Sequence, residues 1–277
     1  MQKKTFRRFA AILFLVILPL PVLSAEETLS QEEAAVKLAN PNVPLAKLLL
    51  KNQYTFYTGS LAGTDEQSNF SQLFQPSFPF PTKNATILWR PALPIQYAQP
   101  KPNGSGYDKI YGLGDISMDI GYAVTKPSGF IWLLGVFTTI PTATIDLGGK
   151  RWTMGPEGMI GIVNPKFALG SLVFHQWKLA GSGSSFSTTG IQAFAFWLPG
   201  GGWALGSGPI LSFDWKNNIY TIPLNLTVSR TYIFGRTPWK FDVTLDYYVM
   251  GHDTLRPEWV VGFNITPVVK NIFYPSR

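Results

Sequence analysis

From Trp239 to Val249 the side chains alternate without interruption. Trp239, Phe241, Val243, Leu245, Tyr247 and Val249 fall on one side, and Lys240, Asp242, Thr244, Asp246 and Tyr248 on the other. Successive residues of an extended chain point to opposite faces, so this stretch is a strand with one apolar and one polar face. Tyr220–Ser229 repeats the pattern, with Tyr220, Ile222, Leu224, Leu226 and Val228 opposite Thr221, Pro223, Asn225, Thr227 and Ser229. Glu258–Thr266 does so again, with Trp259, Val261, Phe263 and Ile265 opposite Glu258, Gly262, Asn264 and Thr266. A barrel wall between lipid and a polar lumen demands this pattern, and a soluble β-sandwich with one wet face produces it too.

The aromatic residues discriminate between the two. Trp132, Trp152, Trp203, Trp239 and Trp259 stand near strand starts, and Trp197 and Trp215 near strand ends. Amphipathic rings collect at membrane–water boundaries, so the placement predicts an aromatic girdle rather than sandwich-core anchors. Composition agrees. Hydrophobic residues make up 45% and charged residues only 14% of the 277-residue chain, yet no segment beyond the N-terminus offers an unbroken apolar span of helical length. A closed barrel spreads its apolar surface over alternate positions and satisfies every backbone group, which reconciles the two facts.

Residues 1–25 read as a signal peptide. Lys3, Lys4, Arg7 and Arg8 form a basic head, an apolar run follows from Phe9, and Ser24 and Ala25 give a small-residue exit. The stretch holds four basic and no acidic groups, so the rest of the chain carries about +3 of the formal +7. No basic stripe tracks along it, which argues against nucleic acid. The chain has no cysteine, which removes disulfides, thiolate metal sites and cysteine nucleophiles. Residues 26–51 contain the one helix-like piece: Ser30 followed by Gln31, Glu32 and Glu33 marks a start, and Asn40-Pro41 a stop. This segment is expected either in the periplasm or as a plug in the barrel mouth, with a disordered leader as the alternative.

Residues 52–277 are expected to form the barrel. Short turns at Lys126–Gly129, Asn164–Lys166, Pro199–Gly202 and Phe234–Pro238 alternate with longer connections at Ala98–Lys109, Ala143–Arg151, Ala180–Ser187 and Gly251–Arg256. Periplasmic turns are short and extracellular loops long. If both ends are periplasmic, two strands must precede Thr86–Tyr97: Tyr54–Ser60 and Asn69–Phe80, the latter interrupted by Pro76 and Pro79. The total is about twelve antiparallel strands.

Lumen-lining residues follow from the parity of alternation. Asp115, Asp119, Asn225, Thr227, Lys240, Asp242, Asp246 and Glu258 are expected to face inward, since a charge toward lipid at mid-membrane costs on the order of 2–4 kcal/mol. Three segments break the rule: Phe130–Ile140, Lys166–Lys178 and Gly190–Leu198 are apolar on both faces. Either one inner wall is suited to apolar or aromatic solutes, or the N-terminal segment packs against it. His175 and His252, the two histidines, have no sequence neighbour that marks a hydrolytic triad, so neither catalysis nor a cofactor or metal is expected.

Four motifs carry a resemblance: Gly112-Leu113-Gly114-Asp115-Ile116, Ile140-Pro141-Thr142-Ala143-Thr144, Trp152-Thr153-Met154-Gly155-Pro156, and Ile222-Pro223-Leu224-Asn225-Leu226-Thr227-Val228-Ser229. In order and spacing the chain resembles the bacterial outer-membrane proteins that bear the name "neuromedin U". These are in turn similar to the transporter family associated with the phenol-degradation meta-pathway. The resemblance runs from about Asn40 to the C-terminus. It implies a closed barrel and uptake of small hydrophobic or aromatic compounds across the outer membrane, with lipid and solute as partners; a plugged structural or adhesion barrel and an outer-membrane hydrolase are the alternatives. The chain departs from the common barrel pattern in ending on Phe273-Tyr274-Pro275-Ser276-Arg277, without a terminal aromatic residue.

Overall fold

The computed structural model describes residues 29–273, apart from the side chain of Ile145; the expected signal peptide lies outside this range. A single helix, α1 (Gln31–Ala39), precedes the strands. Its start is the capping box expected at Ser30. The Ser30 Oγ accepts from the Glu33 backbone N–H at 3.1 Å, and the Glu33 carboxylate accepts from the Ser30 N–H at 2.9 Å.

Twelve antiparallel strands follow. They are β1 (Lys47–Thr58), β2 (Ser68–Pro81), β3 (Thr86–Pro102), and β4, interrupted into Tyr107–Leu113 and Ile116–Thr125. Next come β5 (Phe130–Ile140), β6 (Arg151–Val163), β7 (Phe167–Gly181) and β8 (Ser187–Gly200). β9 is again interrupted, into Trp203–Ser207 and Ile210–Asp214, and β10 (Ile219–Phe234), β11 (Thr237–Met250) and β12 (Arg256–Pro267) complete the set. Each strand pairs with its sequence neighbours, and β12 returns to β1 through the register Leu50 with Ile265 to Thr58 with Arg256. The sheet therefore has no free edge, which is the condition for placing backbone in lipid.

The twelve-strand count expected from loop parity matches this architecture, including the proline-bearing strand. β2 tolerates Pro76 because its ladder with β3 lapses between the pairs Phe74–Leu93 and Phe78–Trp89, where Pro76 supplies no N–H. The first strand differs from expectation. It begins at Lys47 rather than Tyr54, so the boundary drawn at residue 51 falls inside β1. Its first half, Lys47-Leu48-Leu49-Leu50-Lys51, does not alternate cleanly, and only its pairing with β2 and β12 defines it as strand.

The outer surface is apolar. Leu134, Ile160, Leu224 and Leu226 are each more than half exposed, which in water would be an aggregation surface and in lipid is the contact face. All nine tryptophans sit near strand ends in two belts, with Trp89, Trp132, Trp197, Trp203 and Trp239 toward the short turns, and Trp152, Trp177, Trp215 and Trp259 toward the long loops. Phe273 packs on Phe78 and Trp89 in the short-turn belt, with ring centroids 4.9 and 5.7 Å apart.

Candidate functional site: the barrel lumen

Two unlike walls face each other across the lumen. Along β10–β12 the inner face is polar and cross-linked. Lys240 Nζ lies 2.9 Å from Asp242, which also accepts from the Ser229 hydroxyl. Asn225 donates to Asp246 at 2.6 Å, while its own oxygen accepts from Thr227 Oγ1 at 3.1 Å. That oxygen also accepts from the Gly208 N–H at 2.7 Å, satisfying a backbone donor exposed by the interruption in β9. Lys47 and Lys51 share electrostatic surroundings with Asp242 from the adjoining β1.

Beside this wall an ion triplet joins three strands. Arg90 of β3 donates through Nε at 2.8 Å to Asp119 of β4, and through Nη2 at 3.0 Å to Glu157 of β6. Both carboxylates are about 4% exposed. Two acids so close together hold only because one guanidinium forks between them. Arg90 and Glu157 do not stand out in the sequence, because a lone charge in a strand reveals its face but not its partner three strands away.

The other wall, β5–β8, is mainly apolar, although Thr153, Glu157 and Gln176 are buried on it. Toward the short turns Leu88, Ala123, Ile131, Leu133, Met159, Ala168 and Phe194 form a buried cluster against which Val36 and Ala39 of the N-terminal segment pack. Further along, Phe137 and Phe174 stack with centroids 4.6 Å apart. Phe174 lies over Gly190, where any Cβ would meet the ring. A bare glycine opposite an aromatic ring keeps the ring flat on the sheet.

The N-terminal segment is tied to the short-turn end. Gln31 Nε2 donates to the Gly201 carbonyl in one turn, and Asn40 Nδ2 to Thr125 Oγ1 beside another. Asn42, 2% exposed, donates to the carbonyls of Val124 and Trp132 at 3.2 and 2.9 Å. Of the two explanations offered for the doubly apolar strands, packing by the N-terminal segment accounts for the turn-proximal half of this wall.

Two expected lumen residues have other surroundings. Asp115 lies at the interruption in β4, where its oxygens accept from the backbone N–H groups of Ala143 at 3.0 Å and Gly149 at 2.8 Å. It clamps the long loop 141–150. Thr142 and Thr144 complete the clamp by accepting from Ile116 N and Leu113 N, so two of the four quoted motifs are one structural unit. Gly112, at φ +147°, leaves the space that Thr144 Oγ1 fills. Glu258 lies at the bulge where β1 and β12 shift register between Phe56 and Tyr57.

The histidines occupy unlike places. His252 accepts from Thr254 within its loop. His175 faces outward beside Trp177, with Nδ1 2.7 Å from Thr189 Oγ1 and Nε2 3.2 Å from Ser187 Oγ, both on the neighbouring strand. Sequence spacing could not reveal this contact, which depends on the register of β7 with β8. Thr189 also accepts from Trp215 Nε1 at 2.8 Å, so the group belongs to the hydrogen-bonded aromatic belt. No cluster of potential metal ligands occurs among the described residues.

No family model matches the chain, and no curated protein matches it in sequence. Among solved structures it is similar to the COG4313 outer membrane channel from Pseudomonas putida F1, at 13% identity and a TM-score of 0.64, over 81% of this chain and 95% of that one. It is more distantly similar to the NanC porin, at 11% identity and a TM-score of 0.49, over 80% and 99% of the two chains. The outer membrane phospholipase A from Escherichia coli follows at 10% identity and a TM-score of 0.43, over 85% and 98%. With the closed sheet, the apolar band and the two aromatic belts, the first likeness establishes the fold as that of a bacterial outer-membrane β-barrel.

Proposed function

We propose that the barrel is a passive channel for small hydrophobic or aromatic compounds, that it performs no catalysis, and that α1 holds the short-turn end closed in this conformation. The observation that carries the reading is the inner aromatic wall. Phe137 and Phe174 face the lumen beyond the reach of the helix cluster, opposite charged and amide side chains. An apolar solute thus has a surface to move along, while the polar wall stays hydrated. Val36 and Ala39 add apolar contact at the closed end, and few hydrogen bonds fix the helix, so its release requires no break in the barrel.

Planar-bilayer conductance and liposome influx of the full-length protein test the proposal. Intact protein should conduct weakly and admit a neutral aromatic solute. Asn42→Ala removes two bonds to backbone carbonyls, costing about 1–2 kcal/mol of docking, and should raise the open fraction roughly tenfold. No influx from either protein sinks the channel and leaves a plugged structural barrel. That second reading is favoured by the same helix. Covalent labelling of Ser187 by a fluorophosphonate would overturn the non-catalytic part.

A further inference from the structure

One cation breaks the rule that charges avoid the lipid face. Arg230 of β10 lies between Ser229 and Thr231, which are 2% and 1% exposed and turn inward. Alternation therefore sends Arg230 outward, where it pairs across the sheet with Trp203 and Phe241. Its guanidinium stacks on two rings, with Cζ 4.5 Å from the Trp203 centroid and 4.9 Å from that of Tyr232. It makes no ion pair among the described residues, and its Nε is buried without a hydrogen-bond partner.

The height of the residue matters. Trp203 opens β9 directly after the Gly200–Gly202 turn, and the Thr231 N–H donates to the Gly202 carbonyl. Arg230 thus stands at the short-turn boundary, within the belt formed by Trp203, Tyr232, Trp239 and Phe241. A cation there costs far less than at mid-membrane, but an orphaned donor still calls for an acceptor. Other turns at the same end of the barrel add the same sign: Lys83, Lys126 and Lys166 occupy three of them, and none of the three contains an acidic residue.

We propose that Arg230, Trp203 and Tyr232 form a binding site for the phosphodiester of a glycerophospholipid in the leaflet on the short-turn side. The two rings hold the guanidinium plane, its N–H groups donate to phosphate oxygens, and the acyl chains descend along the apolar wall of Leu224, Leu226 and Val243. The site is independent of transport, since none of its three side chains points into the lumen.

Native mass spectrometry of the full-length detergent-folded protein tests it, with phosphatidylglycerol, the phosphate-free dioleoylglycerol and inorganic phosphate as probes. The wild type should retain phosphatidylglycerol and not dioleoylglycerol. Arg230→Gln should lose about tenfold in retention, and Arg230→Lys should keep part of it, because an ammonium supplies the charge without the fork. Unchanged heat-modifiable mobility on a gel identifies folded variants. Equal retention by folded Arg230→Gln, or equal retention of dioleoylglycerol, overturns the proposal. So does displacement of the lipid by an equal concentration of inorganic phosphate, which would make the site a receptor for a free anion.

Discussion

The walls β10–β12 and β5–β8 belong to one sheet, yet they solve the inner face differently. On β10–β12 the inward residues form polar pairs: Ser229 meets Asp242, Asn225 meets Asp246, and Lys240 meets Asp242. On β5–β8 the apolar inward residues meet one another or the N-terminal segment, as Val36 packs against the cluster that holds Leu133, and Phe137 meets Phe174. Both walls face lipid with the same chemistry. The difference shows that strict alternation marks wall whose inward side chains pair with polar groups, whereas its failure marks wall whose inward side chains pack on apolar ones. Burial of an apolar side chain is favourable on either side of the sheet, so a filled lumen erases the period-two signal.

The comparison breaks most readily at its seam. Arg90→Ala leaves Asp119 and Glu157 buried, adjacent and without a cation, and should cost about 3–5 kcal/mol. The urea midpoint of the folded barrel measures this, and Arg90→Ala combined with Asp119→Asn and Glu157→Gln should recover much of the loss. If the single variant is as stable as the wild type, the polar wall is wet enough to need no pairing.

A smaller effect is expected from the aromatic wall. Phe174→Ala removes a stacked partner over Gly190 and should lower influx of a neutral aromatic solute roughly threefold to tenfold, with ion conductance unchanged. Equal loss for aromatic and hydrophilic solutes would mean that the two walls do not differ in what they carry.

The smallest effect concerns the helix cap. Hydrogen bonds from Ser30, its backbone N–H foremost, hold the Glu33 carboxyl below its ordinary value of 4.5. A lowered value in the capped state means that the contribution is present above the ordinary value and lost as pH falls through the lowered one. The open fraction should therefore stay flat from pH 7 to about 5 and rise below 4, and Glu33→Gln should abolish that rise. A rise already complete at pH 6 would assign the closure to another group.

Much of the architecture was legible in single residues. Three alternating strands, the end-placed tryptophans and the short-turn parity led to twelve strands, and Ser30 with Glu33 marked the helix start correctly. The weaker readings share a cause. Asp115 holds loop 141–150 through backbone contacts that no local pattern announces, and β1 starts before Tyr54 because Lys47–Leu50 lacks a pattern without its neighbours. The contacts of Arg90 with Glu157 and of His175 with Ser187 cross between strands, at sequence separations of 67 and 12.

What the sequence determined by itself is the local periodicity: which residues are strand, which face each takes, and that one face must meet lipid. This follows from the pleat, which fixes the direction of a side chain from its own position alone. Only the tertiary structure decided what the inner face meets. Closure of β12 on β1 creates a lumen, and the register of neighbouring strands sets the partners of Arg90. Whether that lumen holds water, a solute or residues 31–43 depends on groups from distant parts of the chain arriving at one place.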